Sequence, residues 1–169
     1  MSDFLGEIEA AVPALRRYAR ALTRDADRAD DLVQDCLERA IRKRSLWRPT
    51  GPVKAWLFRI LLNIYRNDLR GRRRRGEHQS IDGLPIEPAV PPSQPGHLAL
   101  AEIARALDLL PTEQRDALLL VVVEGASYLE AAQILGIPAG TLMSRLGRAR
   151  AALRTLTGNT EEPRLRTVK

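Results

Sequence analysis

Apolar positions recur at helical spacing through most of this chain. Phe4, Ile8, Val12, Leu15, Ala19 and Leu22 step by three or four residues, which predicts an amphipathic helix. Beyond it, Asp25 or Asp27 stands where a helix N-cap is wanted, since a carboxylate accepts from the unpaired amides of a first turn. A second apolar face follows in Leu32, Val33, Cys36, Leu37, Ala40 and Ile41. Trp47-Arg48-Pro49-Thr50-Gly51-Pro52 then breaks the pattern, because two prolines and a glycine do not continue a helix. A third helix is expected from Val53, with Trp56, Leu57, Ile60, Leu61, Ile64 and Leu69 at core spacing, a break at Gly71 and a stop at Gly76.

Residues 76–98 lose the periodicity and hold five prolines, three acids and no lysine or arginine. That composition predicts a flexible linker. It divides the chain into helical domains at 1–75 and 99–157, with a frayed polar tail at 158–169. Each domain is small for independent stability, so docking on a larger partner would help both. In the second domain Ile103, Ala104, Leu107 and Leu110 form one face. Thr112 is expected to cap a helix bearing Leu118 to Val123, which Gly125 ends. Ser127 with Glu130 three residues on is a capping-box pattern. After a Gly136-Ile137-Pro138 turn, Leu142, Leu146, Ala149, Leu153 and Leu156 make a buried stripe on a last helix. The fold class is therefore all-α, with two small helical domains.

A short helix, a glycine turn and a longer basic helix is the layout of a helix-turn-helix. Ala131, Ala132, Ile134 and Ile137 would pack the two helices together. Thr141, Ser144 and Arg145 lie opposite the apolar stripe near the helix start, where a recognition helix meets base edges, while Arg148 and Arg154 suit phosphates. An ordinary helical hairpin with a basic outer face is the competing reading.

Charge adds to this picture through its distribution more than through the net +6. Residues 54–75 hold eight bases and one acid, and residues 145–157 four arginines and no acid. Residues 24–38 and 99–144 each hold six acids and two bases. Two separate basic stretches fit a polyanion gripped at two places, although each alone could be a solvated face. The single cysteine, Cys36, excludes an intramolecular disulfide, and its place on an apolar face makes it inert core. His78 and His97 are too isolated for a metal site. No phosphate loop, nucleophile elbow or catalytic carboxylate pair is present, so neither enzymatic activity nor a cofactor is expected. The amino terminus lacks a signal-peptide pattern and no apolar run approaches the roughly 20 residues of a membrane span, so a cytoplasmic location is expected.

Three segments, Leu110-Pro111-Thr112-Glu113-Gln114-Arg115, Gly125-Ala126-Ser127-Tyr128-Leu129-Glu130-Ala131-Ala132 and Gly140-Thr141-Leu142-Met143-Ser144-Arg145-Leu146-Gly147-Arg148-Ala149-Arg150, resemble the promoter-binding carboxy domain of bacterial RNA polymerase sigma factors. The two-domain, extracytoplasmic-function group is the nearest in pattern. In the amino half Ala29-Asp30-Asp31-Leu32-Val33-Gln34-Asp35 looks like that family's polymerase-binding helix, and Trp56-Leu57-Phe58-Arg59-Ile60-Leu61-Leu62-Asn63 like the start of its helix for the melted promoter. The resemblance spans residues 5–157 and departs at Met143, where the family often has lysine. If position 143 faces phosphate, the upstream contact is weaker; if it faces the core edge, nothing is lost.

The resemblance implies partners and roles. Asp30, Asp31, Leu32, Gln34, Asp35 and Glu38 would dock on the β′ clamp helices of core polymerase, and the carboxy domain on the β flap. A solvated acidic face, or a helix-dipole role for Asp30 and Asp31, is the alternative. The loop from Leu46 to Pro52 would capture a flipped base of the minus-ten element, with Asn63 beneath, Trp47 stacking and Arg48 on a phosphate; Trp47 could equally cap the core. Arg59, Arg66, Arg70 and Arg73, with their neighbours Arg72, Arg74 and Arg75, would track the backbone. Thr141, Ser144, Arg145 and Arg148 would read the minus-thirty-five element. An anti-sigma factor covering both domains is also implied, as is a stress response. Two rivals remain: a sigma mimic that titrates an anti-sigma protein, and a free-standing helix-turn-helix repressor.

Overall fold

The computed structural model describes residues 4–47, 51–76 and 95–158, with the side chains of 95–98 left aside. Within these, seven α-helices follow one another: α1 (Phe4–Thr23), α2 (Ala26–Arg42), α3 (Val53–Arg74), α4 (Pro95–Leu109), α5 (Thr112–Val122), α6 (Tyr128–Leu135) and α7 (Ala139–Leu156), with a 3₁₀ turn at Arg44–Leu46. Among the described residues no strand occurs, and no helix is long and apolar enough to cross a membrane. Arg48, His78, most of the predicted linker (77–94) and the tail from 159 lie outside the described residues, as does the side chain of His97.

The amino half is a three-helix unit. Asp25, rather than Asp27, caps α2, its side chain accepting from the Arg28 amide at 2.9 Å. Arg24 joins α1 to α2 at a φ of 56°, a left-handed conformation that costs a non-glycine residue about 1 kcal/mol. Leu15, Tyr18, Leu57, Phe58, Leu61 and Leu62 are almost wholly buried, and the Tyr18 and Phe58 rings meet at 5.3 Å and 56°. Each such leucine contributes about 2 kcal/mol of burial. Gly71 does not break α3, which continues to Arg74; a single glycine costs a helix only about 1 kcal/mol. Ile41, assigned to the apolar face of α2, is 52% exposed, one residue before α2 ends at Arg42.

In the carboxy half α5, α6 and α7 pack around Leu118, Leu120, Ala131, Ala132, Leu142 and Leu146. Helix α4 begins at Pro95, inside the segment read as linker, since proline suits a first helical turn whose amides are unpaired anyway. Pro111, not Thr112, is the N-cap of α5, and no side chain caps that helix. Ile103 and Leu156 prove exposed, at 45% and 46%. Periodicity identifies a face but not how far the neighbouring helix reaches along it. Val122 and Val123 are likewise open, at the end of α5.

The two halves are docked. Their buried residues form one contiguous apolar cluster, with α5 lying against α1 and α6 against α3.

Candidate nucleic-acid interface

The helix-turn-helix is built by local chemistry. Ser127 Oγ accepts from the Glu130 amide at 3.2 Å, and the Glu130 carboxylate accepts from the Ser127 amide at 2.9 Å, closing the capping box. Those bonds hold the Glu130 carboxyl below its ordinary pKa. Gly136 takes φ +66° at the end of α6, and the Ile137 amide bonds back to the Ala132 carbonyl at 3.0 Å. No atom crowds a Cβ at Gly136, so the positive φ alone calls for glycine there. The chain then turns into α7, anchored by Leu142, Leu146 and Ala149.

This places Thr141, Ser144 and Arg148 on the open face of α7. Arg145 differs: its side chain is only 20% exposed and its Nη2 lies 2.9 Å from Glu113 on α5. Met143 is 53% exposed, so it does not face the core edge. Arg150 donates to the Tyr128 hydroxyl across the motif at 3.2 Å.

The second basic surface lies on α3. Arg59, Asn63, Arg66, Arg70 and Arg73 step by four, three, four and three, and so share one side of that helix. Asn63, Arg70 and Arg73 are exposed, and Asn67, Arg70, Arg73 and Arg74 line a shallow hollow at its end. Arg59 and Arg66 are not free. The Arg59 guanidinium donates to the Gln133 carbonyl on α6, and Arg66 reaches the Asp116 carboxylate on α5 at 3.0 Å. The Trp47 ring meets Phe4 at 5.3 Å, tilted by 42°, and packs against the core, which is the core-capping alternative.

On α2, Asp30, Asp31, Gln34, Asp35 and Glu38 are exposed, with Gln34 donating to Glu38 at 3.3 Å and Arg42 pairing with Glu38. Leu32, grouped with them from the sequence, is buried at 8% exposure and serves the core. The helix-dipole alternative for Asp30 and Asp31 loses ground, because the cap is Asp25 and the first-turn acid is Asp27. Cys36 lies fully buried, 3.4 Å from the Leu57 carbonyl, and burial pushes its thiol up to about 12.

Sequence reading missed a polar knot between the halves. The Tyr18 hydroxyl donates to the Asp116 carbonyl at 3.0 Å, and Arg115 donates to the Tyr65 hydroxyl at 2.7 Å. Asp116 is wholly buried, and that burial raises its carboxyl pKa against the opposing pull of Arg66. The one sequence signal was an acid directly preceding an apolar run that has to be buried.

Known proteins share this plan. Residues 8–62 match the family model for the sigma2 domain of PhyR, and residues 100–153 match that for sigma-70 region 4. The chain is 46% identical over 151 residues to the ECF RNA polymerase sigma factor EcfG of Rhodopseudomonas palustris (strain TIE-1), covering 89% of this chain and 82% of that one. Among solved structures, the sigma factor RpoE in complex with the anti-sigma factor NepR from Bartonella quintana superposes with a TM-score of 0.74 at 39% identity, over 96% of this chain and all (100%) of that one. The structure of CnrH in complex with the cytosolic domain of CnrY gives a TM-score of 0.69 at 30% identity, over 93% of this chain and 88% of that one. The chain thus belongs to the extracytoplasmic-function (ECF) RNA polymerase sigma factors, initiation subunits without enzymatic activity of their own that bring core polymerase to promoter DNA.

Proposed function

We propose that the chain grips a promoter at two places. Helix α7 would read the minus-thirty-five element through Thr141, Ser144, Arg145 and Arg148. Helix α3 would hold the minus-ten element through Asn63, Arg59, Arg66, Arg70 and Arg73. The observation that carries this reading is a pair of basic helix faces on separate halves, joined to an acidic α2 surface of Asp30, Asp31, Gln34, Asp35 and Glu38. The acidic surface suits the basic clamp helices of β′, and the carboxy half would meet the β flap. In domain terms, residues 1–75 form the polymerase and minus-ten unit, the carboxy unit starts with α4 and ends near 157, and the segment between joins them. The work is cytoplasmic, where polymerase and chromosome are. Two relatives were solved in complexes, one with an anti-sigma factor, and this supports similar control of this chain.

A sigma-mimic role draws on the match to the sigma2 domain of PhyR. Retention of exposed Arg73, Arg74 and Arg148 weighs against it, since a mimic has no use for DNA-facing bases. Run-off transcription with purified core polymerase separates the two. A sigma factor yields promoter-dependent product that falls when Arg148 and Arg73 are changed to alanine. A mimic yields none from any template drawn from its own genome.

A further inference from the structure

Helix α7 carries a glycine for which the free chain supplies no reason. Gly147 is the ninth of the 18 residues of α7, so it lies mid-helix, and it is exposed. It does not take a positive φ, and a Cβ there would find no atom within 4 Å. Neither a turn nor packing therefore calls for glycine, while a helix interior favours alanine over it. Gly71 differs: it lies near the end of α3, with the Arg75 side chain 3.5 Å from its Cβ position.

The neighbours of Gly147 place the reason outside the chain. Gly140, Ser144 and Gly147 step by four and three residues and share one side of α7. Ser144 belongs equally to the open face with Thr141 and Arg148. Thr141 and Ser144 are short, so their hydroxyls meet a base edge only when the helix lies close against it. The long side chains that flank this face are drawn aside. Arg145 lies 2.9 Å from Glu113, and Arg150 donates to the Tyr128 hydroxyl at 3.2 Å. A major groove about 12 Å wide admits a helix about 10–12 Å across its side chains with little room to spare.

We infer that Gly147 is a specificity-determining position, whose missing side chain lets the α7 backbone come against base edges at the depth that Thr141 and Ser144 need. This rests on the reading of the open face of α7 as DNA-facing. Any side chain at 147 would hold the helix off the groove floor, whatever its charge. Glycine is the residue for a close backbone approach to a ligand, and here the ligand is the upstream promoter element.

The test compares wild type, Gly147→Ala and Gly147→Leu, each as the free chain and as holoenzyme with purified core polymerase on a transcribed promoter. Gly147→Ala should raise the Tm of the free chain by a few degrees, since alanine suits a helix interior. The same change should weaken promoter binding by the holoenzyme about tenfold, the effect of one methyl group too many in a close-fitting site. Gly147→Leu should weaken it about tenfold further and alter which base changes in the upstream element are tolerated. Assembly with core polymerase in the absence of DNA should match wild type in both. So should the salt dependence of promoter binding, because the cause is steric and no phosphate contact is exchanged. Promoter affinity of Gly147→Ala equal to or above wild type overturns the inference. A loss that comes with a lower Tm, weaker core binding or a flatter salt dependence overturns it too. Failure of the underlying reading shows separately. Ser144→Ala and Arg148→Ala would then also leave promoter affinity unaltered, whereas if the close approach alone fails, those two weaken binding and Gly147→Ala does not.

Discussion

The two basic surfaces carry similar charge but meet different fates. On α7 the open face of Thr141, Ser144 and Arg148 looks into solvent, and the arginines that are held, Arg145 and Arg150, are held by Glu113 and Tyr128 of their own half. On α3 the arginines nearest the carboxy half, Arg59 and Arg66, are engaged across the joint, Arg59 while still exposed, whereas Arg70 and Arg73 lie exposed further along the helix. Charge along a sequence therefore reports what a surface can bind. What it does bind in the free chain depends on which acids the fold sets opposite. A solvent-facing base keeps its full capacity for phosphate, whereas a docked one must first be released.

This contrast can be broken most severely at Arg66. Replacing it with alanine leaves Asp116 buried without its cation, a loss of about 3 kcal/mol to docking. Hydrogen exchange of α5 amides should then quicken by up to two orders of magnitude, while those of α2 change little. On the solvent-facing side, Arg148→Ala should cost the holoenzyme about tenfold in promoter affinity and reduce the salt dependence by about one phosphate contact, measured by titration at several salt concentrations. Changing Ser127 to alanine opens the capping box and should cost the helix-turn-helix about 1 kcal/mol, seen as a lower Tm for the carboxy half only. Glu130 sharpens the same point through pH. Its folded pKa is depressed, so the stability it lends is present above the ordinary glutamate range and is lost as pH falls through the lower, folded value. The smallest effect is expected at Met143. It is 53% exposed on α7, so Met143→Lys should tighten upstream DNA by a few-fold and steepen the salt dependence, the opposite sign to Arg148→Ala.

Most of the helices were legible from the sequence because their signals are local. The Ser127–Glu130 box, the Gly136 turn and the leucine stripe of α7 each act within one or two turns. The helix-turn-helix face was legible for the same reason, and Thr141, Ser144 and Arg148 lie where periodicity put them. Two of the exposed positions, Ile41 and Leu156, continue an apolar stripe to the very ends of α2 and α7, and a third, Ile103, lies midway along α4 on an open side. The docking of the halves was not legible. Arg66 and Asp116 are 50 residues apart, and Tyr18 and Asp116 are 98 apart. Nothing in the spacing of such pairs sets them together; that takes the packing of α5 on α1 and α3. Trp47 shows the same limit, since its contact with Phe4 joins residues 43 apart in sequence and depends on where the start of α1 packs.

Footprinting of the reconstituted holoenzyme on a transcribed promoter tests the two-grip reading most directly. Wild type should protect two separated patches, the upstream one weakened by Arg148→Ala alone and the downstream one by Arg73→Ala alone. A single patch, or two patches that respond together to either change, would contradict it.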